Sequence, residues 1–315
     1  MDNKVDPALT EPDLVVLNNL LRDIQLGIES KDSKTQDSET RFLQYNDEHS
    51  INKLSALKTV PSVFCTWDYK DLPSSGFLGE LLVKGYIKWA QTVVRNPLDV
   101  VFLTHLLLYM TTSVPSALYL YYHFTWTHGI LHLIMQVYYT GSFTLMLHNC
   151  IHNNGVLAPQ YRAFDRLWPY ILEPLMGHTW DSYYYHHVKH HHVEGNGPDD
   201  LSSTIRYQRD SPLDFCLYVG RFLTLVWLEL PLYFIRKNKL GLAIKTACSE
   251  FASYTFIVAM AKYNFNAALF TFVLPFCIMR IGLMVGNFGQ HALVDEIDPK
   301  SDFRSSITLI DVPVS

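Results

Sequence analysis

Residues 100–152 read VVFLTHLLLYMTTSVPSALYLYYHFTWTHGILHLIMQVYYTGSFTLMLHNCIH, and this stretch decides the fold. Its first part, Val100 to Tyr122, contains no Asp, Glu, Lys or Arg. It is long enough for the roughly 20 residues with which a helix crosses a bilayer. A short link, HFTWTHG, leads into a second apolar run, Ile130–Leu147. So short a link predicts a tight antiparallel hairpin, and His, Trp and Tyr at its turn suit a membrane–water boundary. The second run ends in LHNCIHN, where His148 and His152 stand four apart and share one helix face.

Toward the N-terminus, GFLGELLVKGYIKWAQTVVR (76–95) mixes apolar residues with Lys84, Lys88 and Arg95. That mixture predicts a helix lying at the membrane surface within an interfacial region, 61–99. Residues 1–60 read as a polar, mobile cytosolic tail. Within it Leu14, Leu17, Leu21, Ile24 and Ile28 mark one amphipathic helix face, and SKDSKTQDSETR is too polar to bury. The opening MDNKVDPALTEPD lacks the basic-then-apolar order of a signal peptide.

Toward the C-terminus lie three more apolar stretches, Phe215–Ile235, Ile244–Ala261 and Phe265–Val285. The first contains Arg221, Glu229 and Pro231, and charges at bilayer depth are costly, so it belongs at the interface or in the protein body. The other two are joined by Lys262, Tyr263 and Asn264 alone, a second tight hairpin. The expectation is an all-α integral membrane domain over 100–315, with four transmembrane helices in two hairpins and a cytosolic helical cap that carries histidines. Arg236, Lys237, Lys239 and Lys245 then fall on the same side as Lys84 and Lys88, the cytosolic side by the positive-inside rule.

A net charge of −5 gives no basic surface for nucleic acid. The five cysteines, Cys65, Cys150, Cys216, Cys248 and Cys277, form no CxxC pair, so neither a disulfide framework nor a zinc ribbon is expected.

The chemistry lies in the 14 histidines, which are unevenly placed. YYYHHVKHHH (183–192) supplies His186, His187, His190, His191 and His192. Five imidazoles in seven residues have no packing rationale, because each ring brings polar nitrogens that need partners. On an α-helix, His187, His190 and His191 share one face through their i, i+3, i+4 spacing. A third element, GNFGQHALVD, places Asn287 and His291 four apart at the end of the last apolar run. Under the four-span topology all three clusters meet on one side of the membrane.

HxxxH at the end of a span, HxxHH before the next hairpin and NxxxH after it resemble the membrane fatty-acid desaturase family, a likeness running from about Val100 to Asp298. Two features depart from the family pattern. Asn149 and Ile151 stand where the first box usually has an acidic and a small residue. The family's final HxxHH box falls some tens of residues beyond His291, so the domain is expected to be C-terminally incomplete.

The resemblance implies two iron ions, with O2 as co-substrate. His148, His152, His187, His190, His191 and His291 match family ligands, and Asn287 matches the position that helps through a bound water. His186, His192 and Asp181 would surround them. Glu194, Asp199 and Asp200 are further carboxylates able to orient a ligating ring by accepting its other N–H. The implied reaction is oxidation of a fatty acyl chain or membrane lipid, desaturation ahead of hydroxylation.

No haem-domain signature, GxGxxG or ferredoxin-type cysteine spacing is present, so a separate electron-donor protein is expected. The endoplasmic reticulum follows from the resemblance for a eukaryotic host. Two other readings remain: a truncated, catalytically silent family member, and a histidine-rich metal transporter or sensor.

Overall fold

The structure, a computed structural model, describes residues 17, 61–64, 67–68 and 82–291. The expected tail helix face, apart from Leu17, the polar tract after it and the residues following His291 lie outside the described residues. Two short antiparallel strands, β1 (Ser62–Phe64) and β2 (Trp67–Asp68), precede the helices. Helix α1 (Lys84–Val93) buries Ile87, Ala90 and Val93, one face at helical spacing, and leaves Lys88 and Trp89 exposed.

Helices α2 (Val100–Tyr122) and α3 (Trp126–Asn153) follow. They are joined through polar side chains: Tyr109 Oη to Ser142 Oγ at 2.6 Å, Ser113 Oγ to Gln136 Oε1 at 3.0 Å, and Ser116 Oγ to His132 Nδ1 at 2.9 Å. Between apolar helices such bonds are each worth roughly 0.6–2 kcal/mol. Helix α3 stops immediately after His152. Asn154 takes a left-handed conformation, and Gly155 has φ +119° where a Cβ would collide with the Asp165 carboxylate. Asp165 accepts from the backbone N–H groups of Val156 and Leu157 and from the Trp168 indole. It thereby fixes the reversal into α4 (Arg162–Leu175).

The loop after α4 is anchored between two later helices, α6 (Leu240–Tyr263) and α7 (Phe265–Gln290). Gly177, at φ +85°, packs so closely on the Pro275 carbonyl of α7 that no Cβ fits. Thr179 Oγ1 donates to Glu250 Oε1 at 2.7 Å, and Arg280 Nη2 lies 3.3 Å from Glu250 Oε2 and 3.2 Å from Thr179 Oγ1. The Trp180 backbone N–H donates to Ser253 Oγ. These bonds set the starting point of the next segment, Tyr184–His191, which winds as a π-helix rather than an α-helix.

Among the described residues four helices are long and apolar enough to cross a membrane: α2, α3, α5 (Pro212–Arg236) and α7. By length and composition alone the stretch Phe215–Ile235, expected at the interface, qualifies, and α6, which carries Lys245, Glu250 and Lys262, does not. Within α5, Arg221 and Glu229 pair at 2.9 Å, so the two charges offset each other.

Packing shows what each helix covers. Along its length α5 touches the histidine-bearing segment: Tyr218 donates to Ser202 O, Phe222 packs edge-on against His186 at 5.1 Å, and Tyr233 donates to Glu194 at 2.5 Å. Meanwhile α6 runs against α7 with Tyr254 beside Phe276 and Phe256 beside Phe272. Composition identifies what a helix could do, whereas these contacts identify what each helix covers.

The Glu250–Arg280 pair is buried, with both side chains 6% exposed. Removing one partner leaves an uncompensated charge, so Arg280→Leu should cost about 3–5 kcal/mol. The double change Glu250→Gln with Arg280→Leu should recover much of that loss in a thermal-unfolding comparison in detergent.

Candidate metal centre

His148 and His152 leave α3 on the same face, with ring centroids 4.6 Å apart. His187 joins them, 4.7 Å from His148 and 5.4 Å from His152. One nitrogen of each of these three rings lies within 4.8 Å of the others, a spacing that a single metal ion could bridge. Tyr183 braces the set: its ring stacks on His187 at 5.0 Å and its hydroxyl meets His148 Nδ1 at 3.1 Å. His192 closes it from outside, with Nε2 3.0 Å from His187 Nε2 and its ring 5.0 Å from His152.

The π-helix explains this grouping. Its hydrogen bonds run from i to i+5, so side chains five apart stand over one another. His187 therefore meets His192, and His186 stacks with His191 at an interplanar angle of 7°. The α-helical spacing expected for His187, His190 and His191 is replaced. His187 and His191 remain on one side at 5.7 Å, while His190 turns inward and is fully buried.

Asp200 organises the second half of the site. Its Oδ2 accepts from His191 Nδ1 at 2.6 Å and from the Asn196 backbone N–H, and its Oδ1 accepts from the Ser202 N–H and hydroxyl. Burial would raise its pKa, but the neighbouring His190 and His191 imidazoles outweigh burial and hold the carboxyl far below its ordinary value. His186, His190 and Asp200 also form a triple with ligand-type atoms within 4.8 Å. Four donors already occupy the Asp200 oxygens, however, so its carboxylate serves as an acceptor for neighbouring groups rather than as an open ligand.

His291 closes α7 with its ring 5.3 Å from His191, and its carbonyl accepts from Thr204. Asn287 lies one turn earlier. Its Nδ2 donates to Ser202 O at 2.9 Å and contacts Tyr218 Oη at 2.6 Å. Asp181, expected beside the imidazoles, instead accepts from Tyr170 and does not bond any histidine, because its positive φ turns it toward α4. Asp200 takes the orienting place. Tyr183 and Ser202 were not singled out from sequence, and only the unusual tyrosine run gave any signal for the first.

The donor set suits a transition metal. Burial, then the charges of His192 and His148, push His187 down to about 2. Burial and His190 push His186 down to about 3. Both rings are therefore neutral near pH 7, the form that ligates. His186 Nε2 and His190 Nδ1 are both buried with no hydrogen-bond partner, as expected of lone pairs kept for an ion, and His178 Nε2 is likewise unpartnered. A cavity of about 680 Å³ opens beside them, lined by His148, His186, His187 and His191 together with apolar residues of α3, α5 and α7.

Another imidazole, His178, also lines the cavity. Burial, then the Arg280 charge, pushes it down to about 3 from 6.5. Between those values the unfolded chain binds a proton that the folded chain refuses, so this stability is complete above pH 6.5 and declines as pH falls. From pH 6.5 to 5 the loss should be about 2 kcal/mol. The metal-free chain should melt at lower temperature at pH 5 than at pH 7, and His178→Gln should make that slope shallower.

No curated protein and no solved structure matches this chain. The sequence model described as fatty acid desaturase matches residues 124–312, which include α3, the π-helical histidines, α5, α6, α7 and both Asn287 and His291. That match covers more than half of the 315 residues, and the chain belongs to the fatty acid desaturase family.

Proposed function

We propose that this chain carries out O2-dependent oxidation of a fatty acyl chain or membrane lipid, desaturation ahead of hydroxylation, at two iron ions held by its histidines. The observation that carries this reading is the cavity: five imidazoles, His178 among them, line it together with Leu145, Phe222, Val226, Leu230 and Leu283. Its volume, about 680 Å³, falls within the roughly 300–1,000 Å³ usual for small-molecule sites.

His148, His152 and His187 would hold one ion, and His191 with His291 would face the other. Iron when bound would supply removal of acyl hydrogens by O2, which no side chain can perform. The chain's own residues provide placement. Asp200 takes the Nδ1–H of His191, which fixes the tautomer and leaves Nε2 as its lone pair. With His148 ligating through Nε2, its Nδ1–H donates to Tyr183. Asn287 lines the cavity near His291 and can hold a water there. The apolar wall excludes bulk water from the acyl chain.

In the membrane, α2, α3, α6 and α7 cross as two hairpins, and α5 lies along the histidine segment as a cap. The packing of α5 on Ser202, His186 and Glu194 supports this choice over the purely compositional one. The histidine face and the N-terminus are cytosolic, with Arg236, Lys237 and Lys239 on that side. Electrons come from a separate donor protein that docks there, and the endoplasmic reticulum membrane is the location in a eukaryotic host.

The test is conversion of a deuterium-labelled acyl lipid by membranes containing the full chain and an electron-donor system. His187→Ala and His148→Ala should abolish product while membrane insertion is unchanged, and product from either variant would overturn the ligand assignment. Tyr183→Phe should reduce the rate by roughly 10–100-fold, the usual effect of losing a partner to a ligating imidazole. A wild-type chain that binds two irons yet oxidises no lipid would favour a catalytically silent family member.

A further inference from the structure

The cavity has a second polar end, away from the imidazoles that face the metal positions. It is lined there by Thr140 and Thr144 of α3, His178 and Thr179 of the loop after α4, Glu250 of α6 and Arg280 of α7. Along α3 from Thr140 to His148, and along α7 from Arg280 to Asn287, the rise is roughly 10–12 Å. Leu145 and Leu283 lie between. Glu250 stands near the middle of α6. With α6 and α7 crossing the membrane, as proposed above, the Glu250–Arg280 pair falls at bilayer depth, where charged side chains are costly and mark functional sites. Stability alone does not account for the pair, since replacing such a pair by well-packed apolar residues is often neutral or stabilising.

Two groups at this end are short of partners. Arg280 directs Nη2 to Glu250, 3.3 Å from both carboxylate oxygens, and to Thr179 Oγ1 at 3.2 Å. Phe276 covers one face of its guanidinium at 4.3 Å, and Tyr254 stands beside the pair. Arg280 Nη1 is buried with no hydrogen-bond partner. So is Nε2 of His178, whose ring packs against Phe143 at 5.7 Å and Tyr183 at 5.4 Å. Buried polar atoms are nearly always bonded, so unpartnered nitrogens on two residues of one cavity wall mark the place of a bound group.

From this arrangement we infer that the substrate chain carries a neutral oxygen function, a hydroxyl or a keto group, which Arg280 and His178 bind at this end of the cavity. The oxygen would sit roughly 10 Å from the carbon presented to the imidazoles. Arg280 donates to it from Nη1, and His178 meets it through Nε2. Charge decides the class. Glu250 already neutralises Arg280, so a carboxylate here would be one anion too many in a site removed from water, whereas a hydroxyl or keto oxygen accepts without adding charge. A bare hydrocarbon chain would leave both nitrogens unpaired, and a site built to bond an oxygen discriminates against the analogue lacking it. The inference rests on the acyl-site reading above and narrows its substrate to an oxygen-bearing chain.

The experiment is binding without turnover. Tritiated methyl stearate and its 12-hydroxy and ω-hydroxy derivatives are each titrated against the full chain in detergent. One or both hydroxylated esters should bind about 10–100-fold more tightly than methyl stearate, the discrimination given by one hydrogen bond to a charged group. Arg280→Lys keeps a charge beside Glu250 but lacks the guanidinium fork, and His178→Phe keeps a ring without its nitrogens. Each should lose most of the preference, read as the ratio of dissociation constants for the hydroxylated and plain esters.

Equal binding of all three esters by the wild type would overturn the inference and leave Glu250–Arg280 a structural pair, with the acyl-site reading intact. A preference retained in both variants would overturn the assignment to Arg280 and His178, and His178→Phe alone decides this if Arg280→Lys does not fold. Tighter binding of the ω-carboxylate derivative than of either hydroxy ester would overturn the neutral class. Binding of none of the esters would sink the acyl-site reading itself, and this inference with it.

Discussion

Asp200 is the group on which the arrangement of the histidines depends. A carboxylate removed from water needs its lone pairs filled, and this one is filled by two backbone N–H groups, a hydroxyl and an imidazole. The backbone donors, from Asn196 and Ser202, close the turn that follows the histidine run. The imidazole donor, His191, ties that closed turn to the cavity wall. Breaking any one of these contacts leaves a buried charge short of a partner, so the turn, the tautomer of His191 and the docking of α5 stand or fall together.

A second buried charge does the same for the opposite wall. Arg280 and Glu250 hold Thr179 between them, which fixes the loop leading into the π-helix against α6 and α7. The histidine segment is thus clamped at its beginning by an ion pair and beyond its end by a carboxylate. Between these two anchors the winding can be the less common π form, because both ends are set by tertiary bonds rather than by helix propensity.

Much of this was legible in the sequence. The apolar runs of α2, α3 and α7 and the four-residue spacing of His148 and His152 state their structure directly, because charge content and helical period are local properties. The grouping inside the five-histidine run was not legible. Its reading assumed an α-helical period, and nothing in the residue types of 184–191 announces the extra residue per turn. Asp181 and Asp200 could not be ranked either, since the choice depends on a positive φ at one and a closed turn at the other. Helix α5 exposed a different limit: its composition permits a membrane crossing, while the partners of Tyr218, Phe222 and Tyr233 are long-range contacts invisible to hydropathy.

Helix α5 has apolar side chains on both sides. Phe222 and Val226 face the histidine cavity, whereas Leu217, Leu225, Leu228 and Leu232 point outward and are exposed. The boundary between the dry imidazole cluster and its surroundings is therefore a single helix thick, about 10–12 Å. A barrier that thin makes the dielectric environment of His186 a property of one docked element. If α5 lifted, water would reach the ring, its protonated form would no longer be penalised, and the lone pair aimed into the cavity would be lost to a proton at mildly acidic pH.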